Sequence, residues 1–161
     1  MNLGVSKMAL KQYEAAILDF NSAIKLKSSF MLAFLNRGEA YLNIGDTLNA
    51  IPDFNKSVEL NPYNPAGYMY LGRVSIGQKN FDAAEDNFDM AVRLKPENPF
   101  FRMSRGLARY FLKEYMDALN DFDKAIEIDP NNPVAYFNRG LIRAEIADNN
   151  RAVEDFSMVL N

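Results

Sequence analysis

Residues 65–98 read PAGYMYLGRVSIGQKNFDAAEDNFDMAVRLKPEN, and this stretch decides the fold of the 161-residue chain. Apolar residues recur at helical spacing in two runs, residues 68–76 and residues 84–92. Between the runs lies a short polar segment that contains a glycine. Pro65 begins the stretch and Pro96 follows the second run, and proline is tolerated in the first turn of a helix but not in its interior. The stretch therefore predicts two helices joined by a turn.

The same pattern recurs every 34 residues along the chain. One position is glycine in five successive copies, namely Gly4, Gly38, Gly72, Gly106 and Gly140. An alanine follows 12 residues after each glycine, and a phenylalanine follows four residues after each alanine. Glycine inside a helix costs about 1 kcal/mol relative to alanine, so its recurrence predicts that the backbones of the paired helices approach closely there. A period of this length predicts a stacked array of helix pairs and not a single globular core.

The composition argues against several classes of function. The chain contains neither cysteine nor histidine, which excludes disulfides and removes the usual metal ligand and the usual general base. The net charge of −3 argues against a nucleic-acid partner. No apolar run approaches the roughly 18 residues of a membrane span, and no signal peptide is recognisable. With no catalytic constellation in the sequence either, we predict no enzyme activity, no cofactor, no metal and no membrane partner.

The repeated unit resembles the tetratricopeptide repeat. The pattern of that family is aromatic-x2-Leu-Gly…Ala-x3-Phe…Pro, and the chain matches it at Tyr68, Leu71, Gly72, Ala84, Phe88 and Pro96. The resemblance covers the whole chain. It implies an all-α, right-handed superhelical solenoid of antiparallel helix pairs with a concave groove, and a scaffold that binds protein partners.

The 34-residue register divides the chain into five repeats: residues 1–30, 31–64, 65–98, 99–132 and 133–161, of which the first and the last are incomplete. Solenoids need terminal caps with a polar outer face, and neither end of this sequence supplies one. Two explanations are open: the sequence is a segment of a longer array, or the uncapped ends pair with another copy to form a homo-oligomer. A further alternative is a regulatory array attached to an enzyme domain outside this sequence.

In the family, the first helix of each pair lines the concave groove. Carried over by register, the groove residues are Leu35, Asn36, Glu39, Met69, Arg73, Phe100, Met103, Leu107, Tyr110, Phe137, Asn138 and Leu141. This face is predominantly apolar, and contiguous exposed apolar surface usually marks a binding site. We predict that it captures an extended or helical peptide of a protein partner, apolar with some acidic character. Self-association, or burial by parts of the chain outside this sequence, is the alternative.

Some family members bind the acidic C-termini of chaperones through a carboxylate clamp of lysines, asparagines and an arginine. Asn36 or Asn138 fits one asparagine of that clamp. The remaining clamp positions are occupied by Met1, Val5, Ala66, Tyr70, Met103 and Leu107. We therefore predict that the chain does not bind chaperone tails by this mechanism.

Three repeats carry an arginine immediately before the repeated glycine and an aspartate 16 residues later. The pairs are Arg37 with Asp53, Arg105 with Asp121, and Arg139 with Asp155. The spacing predicts a structural ion pair between the two helices of each of these repeats. The third repeat has Leu71 and Asn87 at these positions.

The fourth repeat also predicts a basic patch, because Arg102, Arg105 and Arg109 fall on one face of one helix. Two interpretations are open. The patch is either a site for an acidic or phosphorylated segment of a partner, or it pairs with acidic residues of the same chain. Those acidic residues are Glu85, Asp86, Asp89, Asp117 and Asp121.

Overall fold

The computed structural model describes residues 2–159, which form ten α-helices and no strand. The helices are α1 (Asn2–Ala9), α2 (Tyr13–Leu26), α3 (Met31–Asn43), α4 (Thr47–Leu60), α5 (Pro65–Gly77), α6 (Phe81–Leu94), α7 (Pro99–Phe111), α8 (Tyr115–Ile128), α9 (Pro133–Glu145) and α10 (Asn149–Val159). The predicted all-α class is confirmed. Met1, at one of the clamp positions, and residues 160–161 of the predicted fifth repeat lie outside the described residues.

Local sequence explains where the helices begin and how the chain turns between them. The side chains of Asp46, Asn80, Asn98 and Asn132 accept hydrogen bonds from backbone N–H groups in the first turns of α4, α6, α7 and α9. The turn within each helix pair contains one residue with positive φ, and these residues are again 34 apart: Lys11, Gly45, Lys79, Lys113 and Ala147. Each pair is thus closed by the same left-handed turn.

The chain divides into two compact units, residues 1–74 and residues 75–161. In the first unit, α1 packs on α2, α2 on α3 and α3 on α4. Its core is built around Phe54, whose ring stacks on that of Tyr70 at a centroid distance of 4.8 Å, together with Leu35, Ala50 and Val74.

In the second unit, α6 packs on α7, α7 on α8, α8 on α9 and α9 on α10. Phe122, Ala125, Ala135 and Ile142 are buried in its core. No helix within residues 2–159 is both long enough and apolar enough to cross a membrane.

The repeated glycines have a different packing role from the one that the sequence suggested. A Cβ atom on Gly38 would lie 2.7 Å from the ring of Phe54, and one on Gly106 would lie 2.9 Å from the ring of Phe122. The close neighbour is therefore the repeated phenylalanine of the second helix, and not its backbone. The same contact is present at Gly4 and Gly140, so in these four repeats the glycine and the phenylalanine recur together because they pack against each other.

Candidate functional site

The second unit carries an open apolar furrow between α7 and α9, the first helices of two successive helix pairs. A cavity of about 150 Å³ lies between them, lined by Phe100, Met103, Ser104, Leu107, Val134 and Asn138. A smaller one of about 10 Å³ is lined by Leu107, Tyr110, Phe122, Asn138, Leu141 and Ile142. Because the two cavities share Leu107 and Asn138, they form one feature, which we call the α7–α9 furrow.

Large apolar side chains border this furrow and remain accessible to solvent. Val134 is 55% exposed, Phe100 48% and Leu141 37%. Phe137, which the sequence also placed in the groove, is 46% exposed, but it does not line either cavity, and its ring centre lies 5.9 Å from that of Phe156 on α10. The polar residues of the lining are turned toward their own helices. Ser104 Oγ donates to the carbonyl of Phe100, and Asn138 Nδ2 donates to the carbonyl of Val134, both at 2.8 Å. The surface offered to a ligand is therefore mainly apolar.

Tyr110 marks one end of the furrow, beside the last turn of α9. Burial raises the pKa of the Tyr110 hydroxyl, and the neighbouring carboxylate of Glu145 raises it further. Glu145 itself is exposed. It was not among the residues predicted for the groove, although its position four residues after Leu141 on α9 could have indicated it.

The predicted groove residues of the first unit lie in a more polar setting. Leu35 is only 7% exposed and belongs to the core around Phe54, so it offers little surface to a ligand. Burial raises the pKa of Tyr70, and the adjacent carboxylate of Glu39 raises it further. The exposed guanidinium of Arg73 lies 5.6 Å from the centre of the Tyr70 ring.

Asn36 and Met69 are both half-buried, and Met69 packs against the core that includes Tyr70. The predicted groove residues of this unit therefore combine one buried leucine with a mixture of polar, charged and partly covered side chains.

The Arg and Asp residues at the 16-residue spacing contact each other in all three repeats. Nε and Nη2 of Arg37 donate to the Asp53 carboxylate at 2.7 and 2.6 Å. Arg139 engages Asp155 in the same way, with Nη2 at 2.6 Å from Oδ1. The hydrogen bonds to Asp53 raise the pKa of Arg37 despite its partial burial. These are bidentate contacts that join the two helices of one pair.

Each of these arginines also donates a hydrogen bond to a side chain in the preceding helix pair. The sequence did not predict this second contact as a general feature of the repeats. Nη1 of Arg37 donates to Asn21 at 2.5 Å, and Nη1 of Arg139 donates to Asp123 at 2.7 Å. In both cases the second partner lies 16 residues before the arginine, so the spacing could have revealed it.

Arg105 and Arg109 of the predicted basic patch contact acidic residues of the same chain. Arg105 donates to Asp121 and, at 2.6 Å, to Asp89, while Arg109 donates to Glu85 at 2.7 Å and to Asp121 at 2.9 Å. Asp121 is fully buried. Burial alone would lower the pKa of Arg105, but the hydrogen bonds and charges of Asp121 and Asp89 raise it overall. For Arg105 and Arg109, this arrangement corresponds to the interpretation in which the patch pairs with acidic residues of the same chain.

Arg102, the third residue of the patch, donates from Nε to the carbonyl of Pro96 at 2.8 Å. No cluster of three or more His, Cys, Asp or Glu residues within residues 2–159 has the arrangement needed to hold a metal ion.

Comparison with protein families places the chain. A family model described as TPR repeat matches residues 4–45 and 106–146, together more than half of the chain, and a second, described as Tetratricopeptide repeat, matches residues 35–99. The chain belongs to the tetratricopeptide-repeat family, and the resemblance inferred from its sequence is confirmed. A comparison with curated proteins finds no match.

Several solved structures share this fold. A crystal structure of MamA superimposes with a TM-score of 0.90 at 25% sequence identity, covering 99% of this chain and 94% of MamA. MamA from Desulfovibrio magneticus RS-1 gives a TM-score of 0.91 at 20% identity, covering 99% and 90% of the two chains. YrrB, described as a TPR protein with an unusual peptide-binding site, gives 0.84 at 22% identity, covering 99% and 82%. The predicted tetratricopeptide-repeat fold is thus confirmed, and membership of this family supports a protein-interaction module in general.

Proposed function

We propose that the chain is a non-catalytic module that captures an apolar peptide segment of a partner protein on the first helices of its repeats. The observation that carries this proposal is the α7–α9 furrow. Phe100 and Val134 stay about half exposed and line a cavity of about 150 Å³, which is the order of volume of one large apolar side chain. Exposed apolar side chains around a cavity of this size suit a buried anchor residue of a ligand.

The repeat boundaries at residues 30/31, 64/65, 98/99 and 132/133 form part of this proposal, because they place α3, α5, α7 and α9 at the start of their repeats. YrrB supports the proposal as a structural neighbour whose description includes a peptide-binding site. In the first unit, the residues we assign to ligand contact are Asn36, Glu39, Met69 and Arg73, without the buried Leu35.

The test is a double substitution that places one charge in the furrow, at Phe100, and a second on α9, at the predicted groove residue Phe137. We expect Phe100→Asp with Phe137→Asp to abolish the enrichment of apolar peptides from a displayed random peptide library, because an aspartate at either position must be desolvated by an apolar ligand. Circular dichroism checks that the variant keeps its helical content.

The matched control introduces the same charges on the second helices of the repeats. Leu18→Asp with Leu48→Asp replaces two leucines that are 66% and 87% exposed on α2 and α4. This control is expected to enrich the same peptides as the unmodified chain. Equal enrichment by the furrow variant and the unmodified chain would contradict the proposed function.

A second candidate function is self-association through the ends of the array. Leu3 and Leu26 are 62% and 89% exposed and line a cavity of about 440 Å³ in the first unit, and Val153 and Met158 on α10 are 64% and 51% exposed. Apolar surface of this kind favours contact with another protein surface, and a second copy of the chain offers one.

A further inference from the structure

We propose that the α7–α9 furrow selects apolar segments that carry a lysine or arginine at the end lying beside Glu145. This inference rests on the proposed function, since it specifies the chemistry of the ligand in the same furrow. It reverses the acidic character that the sequence suggested for the partner, and the reason lies in how the charges around α7 and α9 are distributed.

The arginines of α7 are already occupied. Arg105 is held by Asp89 and Asp121, and Arg109 by Glu85 and Asp121, in ion pairs of 2.5 to 2.9 Å. Their guanidinium groups are less than 20% exposed. An acidic ligand would have to compete with carboxylates that are already in place and partly desolvated, so these arginines offer little attraction to it.

Glu145, by contrast, is exposed at the end of the furrow, and within residues 2–159 no lysine or arginine forms an ion pair with it. Arg143, two residues earlier, is held by Asp155 at 2.8 Å. In the turn that follows α7, Lys113 and Glu114 carry opposite charges that offset each other. The neighbour of Glu145 is the uncharged hydroxyl of Tyr110, so within residues 2–159 no basic side chain compensates the negative charge of Glu145.

The helix axes add to this negative potential. Phe100 near the start of α7 lines the furrow together with Val134 near the start of α9, and Tyr110 near the end of α7 lines it with Leu141 near the end of α9. The two helices therefore run in the same direction, and both C-termini lie at the Glu145 end. The C-terminus of a helix carries a partial negative charge, which favours a cation there.

In the experiment, peptides are selected from a displayed random library for binding to four proteins: the unmodified chain, Glu145→Lys, Glu145→Gln and Glu154→Lys. Glu154→Lys is the control, because it makes the same charge change at an exposed position of α10. The unmodified chain and the control are expected to enrich apolar peptides with a lysine or arginine near one end. Glu145→Gln is expected to lose that basic preference, and Glu145→Lys to replace it with an acidic one.

A selected peptide then gives the size of the effect. Changing its basic residue to glutamate is expected to weaken binding to the unmodified chain about fivefold, as for an exposed ion pair, and to strengthen binding to Glu145→Lys. Circular dichroism of each variant confirms that its helices are retained.

Two other outcomes separate this inference from the function on which it rests. If the unmodified chain, Glu145→Gln and Glu145→Lys all enrich the same apolar peptides without a basic preference, the inference is overturned and peptide capture stands. If the unmodified chain enriches nothing beyond what the Phe100→Asp with Phe137→Asp variant enriches, the proposed function fails and the inference fails with it.

Discussion

Asp121 on α8 forms ion pairs with two arginines of α7. It is fully buried and accepts hydrogen bonds from both Arg105 and Arg109. Removal of one member of a buried ion network leaves the remaining charges without compensation. We expect Asp121→Ala to lower the free energy of unfolding by about 3 kcal/mol, measured by urea denaturation.

The control for this change is Glu127→Ala. Glu127 pairs with Lys124 on the surface of α8, and its side chain is 62% exposed. Exposed ion pairs contribute roughly 0–1 kcal/mol, so this substitution is expected to have a small effect. A loss for Asp121→Ala no larger than that for Glu127→Ala would show that the buried network does not stabilise the fold.

A substitution at Gly106 tests the contact between the repeated glycine and the repeated phenylalanine. A Cβ atom there would meet Phe122 at 2.9 Å and Asp121 at 3.2 Å, in a region where little can move. We expect Gly106→Ala to destabilise the protein by about 1–3 kcal/mol, because overpacking displaces neighbouring side chains.

At Gly77, the last residue of α5, a Cβ atom would meet nothing within 4 Å, so Gly77→Ala is expected to stabilise by about 0.5–1 kcal/mol. The opposite signs can be read from thermal or urea unfolding of the two variants.

Tyr70 predicts a pH dependence of stability at alkaline pH. Burial, and then the carboxylate of Glu39, raise its pKa in the folded protein. A pKa that is higher in the folded protein than in the unfolded chain means that neutral Tyr70 stabilises the fold relative to its ionised form. This contribution to the free energy of unfolding is complete below the unfolded-state pKa of about 10 and is lost as the pH rises through the folded-state pKa. We expect Tyr70→Phe, which keeps a ring stacked on Phe54, to lose less stability above about pH 10 than the unmodified chain.

Urea unfolding at a series of alkaline pH values measures this difference. Tyr63→Phe is the control, because Tyr63 is 81% exposed in the loop between α4 and α5. Its alkaline stability profile is expected to follow that of the unmodified chain. Identical profiles for Tyr70→Phe and Tyr63→Phe would contradict the assignment to Tyr70.

At the scale of the elements, the turns within the helix pairs show where sequence reasoning had least to work with. All five contain a residue with positive φ, but only Gly45 is a glycine, while Lys11, Lys79, Lys113 and Ala147 adopt the same conformation. The existence of the helices could be predicted from their apolar period and their prolines. The position of the left-handed turn residue could not be predicted, because in four of the five turns it is a lysine or an alanine, and these residues do not favour that conformation.

This turn supplies a prediction at the same scale. The left-handed region costs a non-glycine residue roughly 1–2 kcal/mol, and Ala147 has φ of 62°. We expect Ala147→Gly to stabilise the α9–α10 pair by about 1 kcal/mol in thermal unfolding, after allowance for the flexibility of glycine in the unfolded state. Ala144→Gly, three residues earlier inside α9, is expected to destabilise by about 1 kcal/mol. A loss of stability in both variants would contradict this account of the turn.

At the scale of the whole molecule, the second candidate function predicts self-association. We expect the average mass measured by light scattering to rise with protein concentration, and Val153→Glu with Met158→Glu to hold it at the mass of one chain, because both residues are exposed apolar groups of α10. Leu48→Glu with Met116→Glu changes two apolar residues on α4 and α8 that are even more exposed, at 87% and 72%, and is expected to leave the association intact. A constant single-chain mass for the unmodified protein at all concentrations would exclude this function.

The sequence by itself determined the repeat, the helix pairs and the family. These follow from spacing along the chain: a 34-residue period, helical apolar periodicity, and prolines at the helix starts are all local properties. The 16-residue spacing of arginine and aspartate likewise predicted the ion pair of Arg105 and Asp121.

Tertiary structure alone decided which of those residues are available to a partner. Leu35 and Met103 occupy the same position of their repeats, but packing buries the first in the core around Phe54, while the second lines the α7–α9 furrow. For the arginines of α7, the sequence left open whether they bind a partner or pair within the chain, and the neighbouring helices place Glu85, Asp89 and Asp121 against Arg105 and Arg109. Burial and charge compensation depend on neighbours that are distant along the chain, and for that reason the period predicted the helices but not the chemistry of the surface they present.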